Sequence, residues 1–295
     1  MAKIKVSAIS YKAGKIDGFE DFAAKCMRMV EKAEVDQPDF VVFPEYLTGE
    51  LMTFMGKGDT GKAYRGIAGY SDAYRDFFAS LAKRKGLFII AGSHLIEEKG
   101  KLYNTAHVFT PEGNIWEQRK LHLTPLERKY LSPGGEVTVF ETDIFKFGVL
   151  TCYDLEFPEA ARLAATRGAE IIFSPSATLD DSGYWRVRHC AQARCIENQV
   201  YVLNCCLIGD WGFPGRAFWG MNSMLCPCDR RFPAKGILAE GPTNQEAVTF
   251  GEFDLVKLRQ VRGASAVSNL ADIREDLCSA LVEDLRILGA AGRQT

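Results

Sequence analysis

Three nearly continuous apolar runs limit the architectures open to this chain. They are "VVF" at Val41–Phe43, "LFII" at Leu87–Ile90 and "EIIF" at Glu170–Phe173. A strand with one wet face alternates apolar and polar residues, whereas an unbroken apolar run needs cover on both faces. Other segments carry apolar groups at helical spacing, as at Phe22, Cys26, Met29 and Val30. Together these patterns predict an α/β protein with mixed sheets packed face to face and helices outside them.

The order of elements follows the same logic. "IKVSAIS" reads as a first strand and Phe19 to Ala33 as a helix. A strand from Phe40 stops at Pro44, Tyr74 to Lys85 reads as a second helix, and "GLFIIAGSHL" as the next strand. "NTAHVFTPEGNIWEQRKLHL" has the pattern of a hairpin, with two extended runs flanking Pro111-Glu112-Gly113-Asn114. Two more extended runs meet around Thr142-Asp143, and Pro158 to Arg167 should be a helix with proline in its first turn. "AEIIFSPSA", the helix Tyr184 to Asn198 and the strand "QVYVLNCC" come next. Long loops are expected near Leu51 to Gly69 and Gly209 to Gly220, of the kind that often surround sites on such scaffolds. No boundary divides the sequence, so residues 1–295 are expected to form a single domain with a C-terminal helical segment at about 272–289.

Composition narrows the partners. With 36 basic and 38 acidic residues among 295, formal charge is -2, and no basic excess points to a nucleic acid. The apolar start is too short for a signal peptide, and no stretch approaches the length of a membrane span. The nine cysteines are odd in number and include the adjacent pair Cys205-Cys206, which suits a reducing compartment. A cytoplasmic protein is the expectation. Cys226-Pro-Cys228 resembles half of a metal site, but no second half with suitable spacing exists, so no metal is expected.

Three strand ends carry chemistry. Cys152 closes the run "KFGVL" where a strand gives way to the helix that begins in "FPEAAR". A thiol there could face a cleft lined by backbone amides, or it could be a buried cysteine with no further role. Glu45 directly follows "VVFP". A carboxylate in that position is costly to bury alone, which leaves a base of raised pKa or a turn residue at the surface. Lys120 ends "IWEQRK" and Glu127 lies seven residues on. The ammonium could stabilise an oxyanion, with Glu127 holding it or the substrate, or both could be solvated charges.

Taken together and in order, "VVFPEYLTG", "QRKLHLTPLE" and "GVLTCYDLEFPEAAR" resemble the three recognition segments of the nitrilase superfamily of carbon-nitrogen hydrolases. "AQARCIENQVYVLNCC" and "KGILAEG" are similar to later family segments, so the likeness covers almost the whole chain. The resemblance implies a four-layer α-β-β-α sandwich of the nitrilase-like type and association as a homodimer or higher homo-oligomer. It also implies a Glu-Lys-Cys set at Glu45, Lys120 and Cys152 that works without metal or organic cofactor. In that set Cys152 attacks, Glu45 moves protons, and Lys120 with the Tyr153 amide faces the oxyanion. Glu127 matches the family's second glutamate.

The form Cys152-Tyr153-Asp154 is similar to amidase-like branches more than to nitrile-hydrolysing ones. The expected reaction is therefore hydrolysis of a small non-peptide amide to acid and ammonia or amine through a thioester. Nitrile hydrolysis, N-carbamoyl amine hydrolysis and a non-catalytic binding role are the alternatives. Many amidase-like relatives have arginine where this chain has Glu156, and the arginine holds a substrate carboxylate in members acting on N-carbamoyl amino acids. Glu156 points instead to a neutral or cationic substrate, together with Asp180 and Asp181, unless it pairs with Arg162 or Arg186. Tyr184 and Trp185 are candidates to line the pocket, and His122 is a candidate to support the site from behind. His189 reads as structural. Trp211, Phe213, Phe218 and Trp219 could close over substrate or fill a subunit contact.

Overall fold

A computed structural model of the chain describes residues 3–55, 59–212 and 217–291. The strands, in chain order, are β1 (Lys3–Ala13), β2 (Phe40–Val42), β3 (Phe88–Glu98), β4 (Lys101–Phe109), β5 (Ile115–Arg119), β6 (Val139–Glu141), β7 (Lys146–Val149), β8 (Ile171–Ser176), β9 (Tyr201–Asp210), β10 (Ala217–Phe218), β11 (Ser223–Leu225), β12 (Ile237–Glu240) and β13 (Ala247–Asp254). The helices are α1 (Phe19–Ala33), α2 (Thr60–Ala68), α3 (Ser71–Lys85), α4 (Pro158–Thr166), α5 (Asp181–Asn198), α6 (Leu255–Ala264) and α7 (Glu275–Ala291).

The main hydrogen-bonded path runs β5-β4-β3-β2-β1-β9-β8-β7-β6. Its two halves join where the end of β1 runs parallel to the end of β9, through Tyr11 with Leu207 and Ala13 with Gly209. β13 closes the first half by pairing antiparallel to β1. β11 and β12 extend the second half beside β9.

Strand alternation sorts the side chains into layers. In β2, Phe40 and Val42 enter the core between the half-sheets, while Val41 joins the helix-facing core with Phe22, Met29 and Phe78. In β8, Ile171 and Phe173 enter the same central core, while Ile172 faces Ala161, Val187 and Ala191 of α4 and α5. The unbroken apolar runs are thus covered on both faces, and the order of layers is helix, sheet, sheet, helix.

Aromatic rings hold the centre. Phe40 of β2 stacks on Phe173 of β8 with centroids 5.2 Å apart and meets Phe147 of β7 edge-on at 5.5 Å. These rings bridge the two half-sheets and bring the ends of β2, β7 and β8 together.

The elements depart from the sequence expectation in several places. The interval Leu51 to Gly69 holds a short 3-10 helix and α2, capped by Asp59 through the Lys62 amide. β3 and β4 form a long hairpin through Lys99 and Gly100, both at positive φ, so β4 begins at Lys101. α5 begins three residues before Tyr184, capped by Asp180. The last helix begins at Glu275, and its Leu277, Leu281 and Leu285 are exposed. Among the described residues no helix is long and apolar enough to cross a membrane.

Phe40→Ala removes a fully buried ring that both half-sheets share. It should lower unfolding free energy by about 3–5 kcal/mol, read from urea unfolding. A loss under about 1 kcal/mol would show that the half-sheets are held elsewhere.

Candidate active site

Glu45, Lys120 and Cys152 each follow a strand end and meet in one cavity of about 500 Å³. Glu45 lies three residues beyond β2, and its approach depends on Gly92. At that point β3 departs from regular register, Gly92 has φ +62°, and a Cβ there would land on the Pro44 carbonyl oxygen. Only glycine combines that backbone with so close a neighbour. Ser93 then takes the Tyr46 amide on its hydroxyl at 2.9 Å, fixing the turn that presents Glu45.

Lys120 follows β5. Its amide donates to the Asn104 carbonyl at 2.8 Å, and its carbonyl accepts from the Gly134 amide at 2.7 Å. The backbone is therefore clamped on both sides. Cys152 opens a five-residue 3-10 helix after β7 with φ at 47°, a conformation L-residues rarely hold. The sharp turn points the thiol into the cavity and leaves the first amides of the short helix beside it.

Asp154 joins these pieces from beneath. Its carboxylate accepts from the amides of Thr151 at 3.1 Å, Leu121 at 3.1 Å and His122 at 2.7 Å. The His122 ring adds a contact at 3.1 Å and stacks on Phe157. The segment after Lys120 is thereby pinned to the turn that carries Cys152, and His122 sits behind the site.

The centre is a buried ammonium between two carboxylates. Lys120 Nζ donates to Glu45 Oε1 at 2.7 Å and to Glu127 Oε1 and Oε2 at 2.8 and 2.9 Å. Asn104 donates to Glu45 at 2.9 Å, and the Ala177 amide to the other Glu45 oxygen at 3.0 Å. Glu127 also accepts from the Tyr46 hydroxyl at 2.6 Å and the Thr124 amide at 2.8 Å. Lys120 and both carboxylates are almost wholly shielded from water.

The two carboxylates titrate differently. Burial raises the pKa of Glu45 against the pull of Lys120, and the charge on Glu127 adds to the rise, to about 7. Burial also works on Glu127, but Lys120 and the hydrogen bonds it receives outweigh burial and hold its pKa below the usual value. For Lys120, burial favours loss of the proton, and the two carboxylates more than offset it, so the ammonium persists. Burial, with the adjacent Glu45, pushes the Cys152 thiol well above its ordinary range. Near neutral pH the site therefore holds a protonated thiol next to a carboxylate able to take its proton.

The rim is less uniform. Tyr153, Glu156, Asp180 and Arg186 line the cavity, with Trp211 and Phe218 on an apolar side. Glu156 is paired with Arg186, whose Nε donates to both its oxygens at 2.9 and 2.8 Å, while Arg162 donates instead to the Glu197 carbonyl. Helix geometry decides which α5 residues reach the space. Gly183, Arg186 and Val187 share one face, whereas Tyr184 and Trp185 are rotated off it and lie outside the lining. Tyr184 is buried against Trp219, and Trp185 packs on His189. Asp181 and Trp219 are likewise outside the lining, and Phe213 falls outside the described residues.

Sequence reasoning missed Asn104, Tyr46 and the Ala177 amide. Asn104 carried a signal, being a polar residue in the middle of a hairpin strand that is buried on both faces. The Ala177 amide carried none, since backbone groups are anonymous in sequence. Among the described residues no cluster of three or more His, Cys, Asp or Glu side chains could hold a metal ion, and Cys226 is buried while Cys228 is exposed.

The sequence profile of the carbon-nitrogen hydrolase family matches residues 9–263. The chain is 40% identical to the probable hydrolase YhcX of Bacillus subtilis (strain 168) over 278 residues, which are 93% of this chain and 54% of that protein. It therefore spans about half the length of that relative. It is 37% identical over 200 residues to the 2-oxoglutaramate amidase of the same organism, covering 66% of this chain and 72% of that protein. In fold it matches the carbon-nitrogen hydrolase from Helicobacter pylori G27 with a TM-score of 0.80 at 22% identity, over 95% of this chain and 98% of that one. With the profile spanning most of its length, the chain belongs to the carbon-nitrogen hydrolase family, in the amidase-like branch of the nitrilase superfamily.

Proposed function

We propose that this chain hydrolyses a small non-peptide amide to a carboxylic acid and ammonia or an amine, through a thioester on Cys152. One observation carries the reading. A single buried ammonium holds two carboxylates whose pKa values are driven apart, and the raised one, Glu45, lies against Cys152. Paired groups pushed in opposite directions mark the assignment of acid and base roles. Amidase relatives support the amide as substrate class.

The steps follow from the placement. Cys152 Sγ attacks the amide carbon as its proton passes to Glu45. The carbonyl π electrons move to oxygen, and the resulting oxyanion lies near the Lys120 charge and the Tyr153 amide. Collapse re-forms the carbonyl and breaks the carbon–nitrogen bond, with the Glu45 proton going to the leaving nitrogen. Water then attacks the thioester while Glu45 takes its proton. The second collapse breaks the carbon–sulfur bond, returns that proton to Cys152 and releases the acid. Glu127 stays ionised throughout and fixes Lys120 and the Tyr46 hydroxyl. We also assign the protein to a reducing compartment, supported by nine free cysteines and tested by thiol labelling in intact cells, where quantitative disulfide formation would oppose it.

Cys152→Ala should cut amide hydrolysis by at least about a thousandfold while leaving the unfolding curve near wild type. Acid-quenched wild type should gain the mass of one acyl group on the Cys152 peptide. Hydrolysis retained by the variant would overturn the mechanism.

The pH profile tests the division of labour between the glutamates. Glu45 acts as base only when deprotonated, so wild-type kcat/KM should rise as pH increases through about 7. Glu127→Gln removes a negative charge that raises the Glu45 pKa. Its acid limb should therefore move to lower pH, with a lower plateau because Lys120 loses a partner. A limb that stays in place or moves upward would assign the base elsewhere.

A further inference from the structure

The charged groups at the cavity rim are unequally committed. Asp180 uses one carboxylate oxygen to cap α5 through the Gly183 amide at 2.6 Å, where the positive end of the helix offsets part of its charge. Glu156 spends both oxygens on Arg186 Nε. Lys120, deeper in the cavity, is taken by Glu45 and Glu127. The terminal nitrogens of Arg186 are different, for among the described residues they donate no hydrogen bond. Arg186 nonetheless lines the cavity, anchored by a carboxylate that is itself largely shielded.

A guanidinium held through Nε, with its two terminal nitrogens open, presents parallel N–H groups that match a carboxylate. Holding the side chain in place beforehand reduces the ordering cost of binding. Glu156 stands four residues after Cys152, at the end of the short helix that the thiol opens. The cysteine turn thus supplies the anchor, and α5 supplies the cation.

We propose that Arg186, positioned by Glu156, is the specificity residue that binds a carboxylate on the far end of the amide substrate. This replaces the expectation that Glu156 selects a neutral or cationic substrate. It rests on the amidase reading and refines the substrate class to an amide with a free acid at its other end. Val187, Trp211 and Phe218 supply apolar lining suited to a short methylene spacer between the two ends.

Three probes of one length separate the possibilities: glutaramate with a carboxylate tail, pentanamide with a neutral tail and 5-aminopentanamide with a cationic tail. Wild type should prefer glutaramate. Arg186→Met should raise KM for glutaramate about ten- to a hundredfold relative to that for pentanamide, and kcat should change far less than KM. Arg186→Lys should recover part of the loss, because the charge remains and the paired geometry does not. Glu156→Gln should weaken glutaramate binding less than Arg186→Met does.

Preference for pentanamide or 5-aminopentanamide, or an equal effect of Arg186→Met on all three probes, would overturn the proposal and leave the amidase reading standing. Should none of the probes be hydrolysed, calorimetry with glutarate decides without turnover. Binding to wild type that weakens at least about tenfold in Arg186→Met supports the carboxylate site. Equal binding to both, or to neither, rejects it.

Discussion

The site depends on one buried cation shared by two anions. Lys120 offsets the desolvation of both Glu45 and Glu127, and neither carboxylate is supported to the same degree by anything else in the cavity. Breaking one partner out of such an arrangement typically costs about 3–5 kcal/mol, because a charge is left buried without its counterpart. The two anions are not treated alike. Glu127 also accepts from Tyr46 and Thr124 and stays ionised, whereas Glu45 remains close to its titration point. That inequality provides a proton acceptor at neutral pH beside a thiol whose own pKa is raised by burial.

The fold exists around this triad in a specific sense. β2, β5 and β7 each end at the cavity, and their side chains arrive from three separate parts of the chain. Packing of Phe40 against Phe147 and Phe173 sets the spacing of β2, β7 and β8. Two local devices then correct the aim. Gly92 lets the Pro44 carbonyl approach β3, and Asp154 ties the Lys120 segment to the Cys152 turn through three backbone amides. Both act on the backbone that carries the site residues.

Much of this was legible from the chain alone. Unbroken apolar runs require cover on both faces, which gives the layer order, and charged residues directly after such runs mark strand ends at a cavity. The likeness to carbon-nitrogen hydrolases brought Glu45, Lys120, Glu127 and Cys152 into one group, and the structure places them together. Their catalytic roles rest on the reading proposed above. What escaped was decided by tertiary packing. α2 contains Gly61 and Gly66, which lower intrinsic helix preference, yet Tyr64 and Ile67 are buried against the core. Tyr184 and Trp185 were candidates to line the pocket, but a helix turns each neighbour through about 100°, so Arg186 reaches the space and they do not. Glu156 had two candidate partners in the sequence, Arg162 and Arg186, and the fold selects Arg186, thirty residues away.

The central claim concerns a proton, so the most direct measurement follows it without substrate. Cys152 is alkylated with iodoacetamide across a pH series in wild type and Glu45→Gln, and modification of the Cys152 peptide is read by mass spectrometry. If Glu45 takes the thiol proton, wild-type labelling accelerates as pH rises through about 7, and Glu45→Gln loses that step. Identical profiles in the two proteins, rising only in the range of an ordinary or raised thiol, would contradict the assignment of Glu45 as the base.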